Sequence, residues 1–250
     1  MTEIDSAGPV RTPDEAETAR QIRGSALLTA GRGLSVGINF LVQVLTVRYL
    51  TQESYGAFAY ALSIVAVVES IVTLGLDRAI TRFVPIYDEQ RQDGRLLGTL
   101  LMAFGTVVGL GVLVVVTTVA LQGWLNGAIL DDPQLTAVLV LLVALAPVQA
   151  YDGLLIGLFA VFGNARAVFL RKHVLSPVLR MAAVAAVILS GGGVESLAVA
   201  YVAAGFVGVA IYTRMLWRLL AHNGLLDRLR TARTQVPGRE VLGFALPLLS

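Results

Sequence analysis

An all-α, polytopic membrane bundle is what this sequence predicts, and three features predict it. Apolar residues make up 56% of the chain, and the mean hydropathy is +0.76, a composition suited to lipid and not to water. Residues 96–130 form a run of 35 without a single charge, longer than the roughly 20 apolar residues a span requires. Comparable runs recur from near residue 24 to the last residue, too long and too continuous for the alternating strands of a barrel.

The elements follow from where charges stop and turn residues begin. A polar tail, 1–24, carries both signs (Glu3, Asp5, Arg11, Asp14, Glu15, Glu17, Arg20, Arg23). It lacks the basic start, short apolar core and cleavage site of a secretory signal. Spans are expected at 25–47, 55–76, 99–121, 135–156, 175–189 and 197–215, with a seventh beginning near Val241. The chain therefore divides into the tail, a six-helix lobe over 25–220, a linker over 221–239, and the truncated start of helix seven over 240–250.

Basic residues stay on the cytoplasmic side of a membrane more often than on the other. Arg11, Arg20 and Arg23 precede span one; Arg78, Arg82, Arg91 and Arg95 follow span two; Arg166, Arg171 and Lys172 follow span four; Arg214, Arg218, Arg228, Arg230, Arg233 and Arg239 follow span six. Of the alternate connectors, 122–134 holds Asp131 and Asp132 and 190–196 holds Glu195, neither with a basic residue. Simple alternation of six spans puts every basic cluster, and the N-terminus, in the cytoplasm. The protein is expected to be a multi-pass component of the cell membrane in contact with membrane lipids.

Several classes of chemistry lack material. With no cysteines there are neither disulfides nor thiolate sites, and His173 and His222 lie far apart, so no metal site and no cofactor is expected. The net charge of +2 is divided among membrane-flanking segments without aromatic platforms, which argues against nucleic acid. No phosphate loop, dinucleotide fingerprint, potassium-type filter or nucleophile with a placed base occurs. No enzymatic activity is expected.

Polar residues inside spans carry whatever function remains. Thr29, Arg32, Val36, Asn39, Gln43 and Thr46 recur every three or four residues and fall within about 100° on a helix, a stripe that lines a cavity or grips a neighbouring helix. Arg32 and Glu69 are expected at similar depths on antiparallel spans, where they pair, serve a substrate or coupling ion, or snorkel to the interface. Arg48 stands nearer the outer end, as an interface anchor or an anion contact. Asp77 is expected to cap the segment after span two, with Arg78 and Arg82 on one face of an interfacial helix or helical extension, anchoring it or gating the cytoplasmic mouth.

Asp152, near the end of span four, reads as a lone carboxylate that binds a cation or is simply solvated. Gly153 and Gly157 follow it at spacings that allow close helix approach. Glycines number 25. Gly31, Gly33 and Gly37 in span one, and Gly105, Gly109 and Gly111 in span three, suggest tight packing. Pro147 and Pro177 are expected to kink or end helices.

Two stretches also resemble a known family. Residues 47–60 (VRYLTQESYGAFAY) and 73–84 (TLGLDRAITRFV) are similar to the polysaccharide exporters and O-antigen flippases of the multidrug/oligosaccharidyl-lipid/polysaccharide transporter superfamily. The resemblance extends in span order over most of the chain, including the basic stretch 166–172 and the segment 239–250, which is similar to the start of the family's second lobe. It implies 12 to 14 helices in two lobes around a central cavity, so that a C-terminal lobe is missing from this chain.

It also implies movement of isoprenoid-diphosphate-linked oligosaccharide from the cytoplasmic to the outer leaflet by alternating access. Arg32 and then Arg48 would meet the anionic linker, with Asn39 and Gln43 beside them, while Arg78 and Arg82 would act at the mouth. Two other readings stay open. One is a cation-coupled drug or small-molecule antiporter relying on Glu69 and Asp152. The other is a non-transporting membrane scaffold.

Overall fold

A computed structural model describes residues 13–127, 132–162, 169–222, 224–235 and 238; for 13–30, 226, 227 and 230 only the backbone course is described. The tail up to residue 12 and the expected start of helix seven lie outside the described residues. Every regular element among the described residues is helical. In chain order they are α1 (Pro13–Tyr49), α2 (Gln52–Thr73), α3 (Leu76–Glu89), α4 (Asp93–Ala120), the single turn α5 (Gln122–Leu125), α6 (Pro133–Leu142) and α7 (Leu145–Val161). A π-helical turn (Arg171–Leu175) then runs directly into α8 (Ser176–Ser190), followed by α9 (Val194–His222) and α10 (Leu225–Thr231).

Five helical stretches are long and apolar enough to cross a membrane: Gln52–Glu89, Asp93–Ala120, Pro133–Val161, Arg171–Ser190 and Val194–His222. They contain the expected spans two to six. The expected first span lies within α1, a helix of 37 residues and so about 55 Å long. Arg32, Asn39, Gln43 and Arg48 punctuate its apolar run. Trp124 and Trp217, both exposed, stand near opposite ends of the bundle, where indole rings favour the membrane–water boundary.

The breaks have local causes. Span two ends earlier than expected, because Leu74 (φ 49°) and Gly75 (φ 67°) adopt left-handed backbone between α2 and α3. Gly75 takes the N-cap position of α3 and no side chain caps it. The expected cap by Asp77 is therefore corrected: Asp77 sits inside the first turn, where its charge complements the helix dipole. Leu76, Ala79, Ile80, Val84 and Tyr87 are buried along one side of α3, so this segment is the amphipathic extension the sequence suggested. Pro147 lacks an N–H and crowds the carbonyl of Val143, which separates α6 from α7; there Ala146 donates to Val143 at 3.0 Å, one residue short of the α-helical register. Pro177 has the same defect, and the chain before it widens into the π-helical turn, with the Ser176 N–H donating to the Arg171 carbonyl.

Two apolar cores stack along the bundle. One joins α3, α4, α7 and the end of α9 through Ile80, Leu96, Leu154, Phe159 and Tyr212. The other joins α1, α2, α6, α8 and the start of α9 through Val42, Phe58, Leu142, Val184 and Leu197. Helix α1 packs on α8 and the π-helical turn and hardly touches α2, although a two-residue turn connects it to α2. Tyr49 secures this arrangement by donating its hydroxyl to the Gly192 carbonyl at 2.9 Å.

The glycines divide differently from expectation. A Cβ on Gly31 would run into the Phe169 ring, one on Gly111 would lie 2.3 Å from the Pro147 ring, and one on Gly157 would meet the Asp77 carbonyl at 3.4 Å, so these three admit close approach. Gly33, Gly37, Gly105, Gly109 and Gly153 face open space. Spacing alone does not reveal which side of a helix has a neighbour.

Beyond the last span, α10 folds back on the bundle. Arg228 bonds to both carboxylate oxygens of Asp93 and donates to Asp88 at 2.9 Å, while the Gln235 N–H reaches the Gly94 carbonyl at 2.9 Å. Hydrogen bonding to Asp93 pushes the Arg228 guanidinium above its ordinary range. The three side chains are partly exposed, so screening limits the stabilisation. Arg228→Ala is expected to leave the bundle folded while raising amide exchange over 225–235 by roughly tenfold, the equivalent of about 1.4 kcal/mol of local opening. Unchanged exchange there would mean that the apolar contacts of Leu225 and Leu229 hold α10 unaided.

Candidate functional site

The polar residues of the bundle gather where the two apolar cores meet. Asp152 of α7 and Arg171 of the π-helical turn form an ion pair with Nε and Oδ1 2.9 Å apart, the Arg171 side chain being only 7% exposed. The guanidinium lies 5.7 Å from the Tyr212 ring centroid, a cation–π distance, and Tyr212 is stacked on Phe159 at 4.3 Å. Gly208 of α9 makes room for it: a Cβ there would lie 2.7 Å from Nη1 of Arg171. Asp152 is thus not the lone carboxylate the sequence suggested. The Tyr212 hydroxyl is buried beside this pair without a hydrogen-bond partner among the described residues.

Next to the pair lies a cavity of about 210 Å³, its polar lining formed by Gln149, Asp152, Arg171, Ser176, Arg180 and Tyr201. Leu62 and Ala66 of α2 close one side. Arg180, four residues into α8, is exposed on this wall, and its field reaches Glu69, Asp152 and Tyr201. Ala66 also borders a second polar recess of about 340 Å³ that contains Glu69, Ser70, Thr73, Asp77 and Arg78. A polar track therefore runs along α2 from the start of α3 to the cavity.

The expected pairing of Arg32 with Glu69 is absent among the described residues, where the ion pairs are those of Arg171 and Arg228. Neighbours in sequence are not neighbours in space here. Because α1 packs on α8, Glu69 senses Arg180 and Asp152, and Arg32 stays exposed. The buried side of α1 runs through Ser35, Val42 and Thr46, about 70° from the centre of the polar stripe at 3.6 residues per turn, with Thr46 on the edge the two share.

Gln43 donates to the Tyr55 hydroxyl of α2, which turns the stripe with Arg32 and Asn39 toward the side on which α2 lies. The Asn39 amide donates back to the Ser35 carbonyl at 2.9 Å. Arg48 is exposed and lies about 160° around the helix from Arg32, so the two do not share a face. Arg78 and Arg82 are both exposed on α3, with the Arg82 guanidinium 5.7 Å from the Phe83 ring centroid.

Two of the site's arginines escaped the sequence reading. Arg171 belongs by sequence to a basic connector, and nothing in the sequence shows that the chain folds it inward. Arg180 does carry a sequence signal, as a charge within an expected span. Among the described residues no group of three or more His, Cys, Asp or Glu could hold a metal.

A family model described as polysaccharide biosynthesis protein matches residues 22–250. The chain belongs to the polysaccharide biosynthesis protein family. No curated protein sequence and no solved structure matches it significantly. For a member of this family, the polar track, cavity and charged residues within an apolar bundle are the features that function must use.

Proposed function

We propose that this chain forms the first lobe of a flippase that moves isoprenoid-diphosphate-linked oligosaccharide from the cytoplasmic to the outer leaflet by alternating access. The family match over 22–250 carries this reading, and the polar track supports it. A diphosphate needs cations and donors at membrane depth; an oligosaccharide needs a hydrated route past the hydrocarbon. Arg32, on the polar side of α1 together with Asn39 and Gln43, is the proposed contact for the linker. Arg78 and Arg82 are the proposed headgroup contacts at the mouth, and Arg48, on the opposite side of α1, is a weaker candidate. Transport involves no bond chemistry, so the lobe is not an enzyme.

The distribution of arginines supports an N-terminus in the cytoplasm of a multi-pass cell-membrane protein, with a C-terminal lobe as its partner. The antiporter reading loses support at Asp152, because a carboxylate engaged by Arg171 at 2.9 Å is a poor exchangeable cation ligand. Glu69 remains open to that role.

The test is reconstitution of the full reading frame in liposomes with a fluorescent lipid-linked oligosaccharide. Arg32→Ala is expected to slow translocation roughly ten- to a hundredfold, the loss of one charge-assisted contact of about 1.5–3 kcal/mol, at unchanged thermal stability. No translocation by the folded wild-type protein with several carrier lipids would overturn the proposal.

A further inference from the structure

The two arginines of the cavity are not equivalent. Arg171 is committed to Asp152, the Tyr212 ring and the space left by Gly208, so it is a buried and satisfied cation. Arg180 makes no ion pair among the described residues, yet it stands in a membrane-crossing stretch, Arg171–Ser190, about 14 Å along the helix from Arg171. A charge at that depth requires a counter-charge or water. Glu69 lies in the recess that adjoins the cavity at Ala66; it has no ion pair among the described residues, and Arg180 is the cation whose charge reaches it.

We propose that this cavity is an oxyanion site inside the lobe, in which Arg180 takes a phosphate group and Glu69 is the carboxylate that competes for it. The donor inventory favours an anion. The Arg180 guanidinium brings five N–H donors, and Gln149 and Ser176 add an amide and a hydroxyl on the same wall, while the Tyr201 hydroxyl is engaged by Thr46. On the acceptor side, Asp152 already receives Arg171. The planar guanidinium matches phosphate oxygens in pairs, which a lysine ammonium does not.

Size narrows the ligand. At about 210 Å³ the cavity is smaller than the roughly 300–1,000 Å³ of sites that enclose drug-sized molecules, so it takes a phosphate or diphosphate and excludes an oligosaccharide. Its walls come from α2, α7, α8 and α9, and the site is complete without a second lobe and separate from the Arg32 stripe on α1. The phosphate comes either from a lipid diphosphate, in which case this inference deepens the proposed function, or from a free anion, in which case it stands without that function.

The experiment uses the full chain purified in detergent micelles, with titrations of inorganic pyrophosphate and farnesyl diphosphate at constant ionic strength followed by calorimetry. Arg180→Gln is expected to weaken binding of both at least about tenfold, and Arg180→Lys to weaken it less. Glu69→Gln should tighten it severalfold by removing the competing carboxylate. Arg218→Gln, a charge removed elsewhere on α9, should leave it unchanged.

Tighter binding of farnesyl diphosphate would assign the phosphate to a lipid, and equal binding to a free anion; both support the site. Equal affinity in wild type and Arg180→Gln, or no binding of either ligand to folded wild-type protein, overturns it. If Arg180→Gln fails to fold, Arg180→Lys and Glu69→Gln decide the matter, and unchanged affinity in both overturns the site. Absent translocation with Arg180-dependent anion binding would remove the flippase reading alone. Translocation with Arg180-independent anion binding would remove the site alone.

Discussion

Asp152→Ala is expected to destabilise the lobe by about 3–5 kcal/mol, the cost of leaving a buried charge without its partner. Arg171 cannot escape to water easily, since its side chain is only 7% exposed and its guanidinium is held between Gly208, Tyr212 and Asp152. Replacing both members, as Asp152→Leu with Arg171→Met, should cost far less, because two buried desolvation penalties disappear together with the attraction that offset them. Thermal unfolding in detergent, followed by tryptophan fluorescence for the two single variants and the double, measures the coupling. A single-variant loss below about 1 kcal/mol would mean that the turn around Arg171 relaxes toward solvent, and the cavity wall described above would then be wrong.

Gly111→Val is the second large effect. A Cβ at Gly111 falls 2.3 Å from Cβ of Pro147 and 3.4 Å from its Cα, so it strikes a rigid ring and backbone where no side chain can rotate away. Helices α4 and α7 must separate, and overpacking of this kind costs roughly 1–3 kcal/mol or more. Gly105→Ala and Gly109→Ala lie on the same helix but face open space, and each is expected to be neutral or stabilising by up to about 1 kcal/mol through helix propensity. The comparison is made by melting the three variants side by side. Equal losses in all three would show that small-residue spacing, and not the observed contact, governs packing of α4.

The same helix shows how far the sequence can be read. Apolar runs and proline chemistry located spans two to six, and the α6–α7 break and the π-helical turn fall where Pro147 and Pro177 remove backbone donors. The four-residue spacing of Arg78 and Arg82 pointed to the helical extension that α3 is. These are properties of a single helix and its solvent, which local sequence specifies. The Arg32–Glu69 pair failed for a different reason: depth in the membrane follows from residue count, but the azimuth of one helix around another does not. Arg180 is legible as a charge within a span. Arg171 was not legible, since its burial depends on Gly208, which lies 37 residues away in a different helix.

The sequence by itself determined that the chain is a helical membrane protein, roughly where spans two to six run, and, through matched residues 22–250, which family it belongs to. Tertiary structure alone decided that α1 leans on α8 instead of α2, that among the described residues Asp152 has an ion-pair partner while Arg180 has none, and that Gly111 is a contact while Gly105 is not. Apolarity and backbone chemistry act over one turn of helix and are written locally. The choice of partner is settled by the packing of whole helix faces against one another, to which many distant residues contribute together.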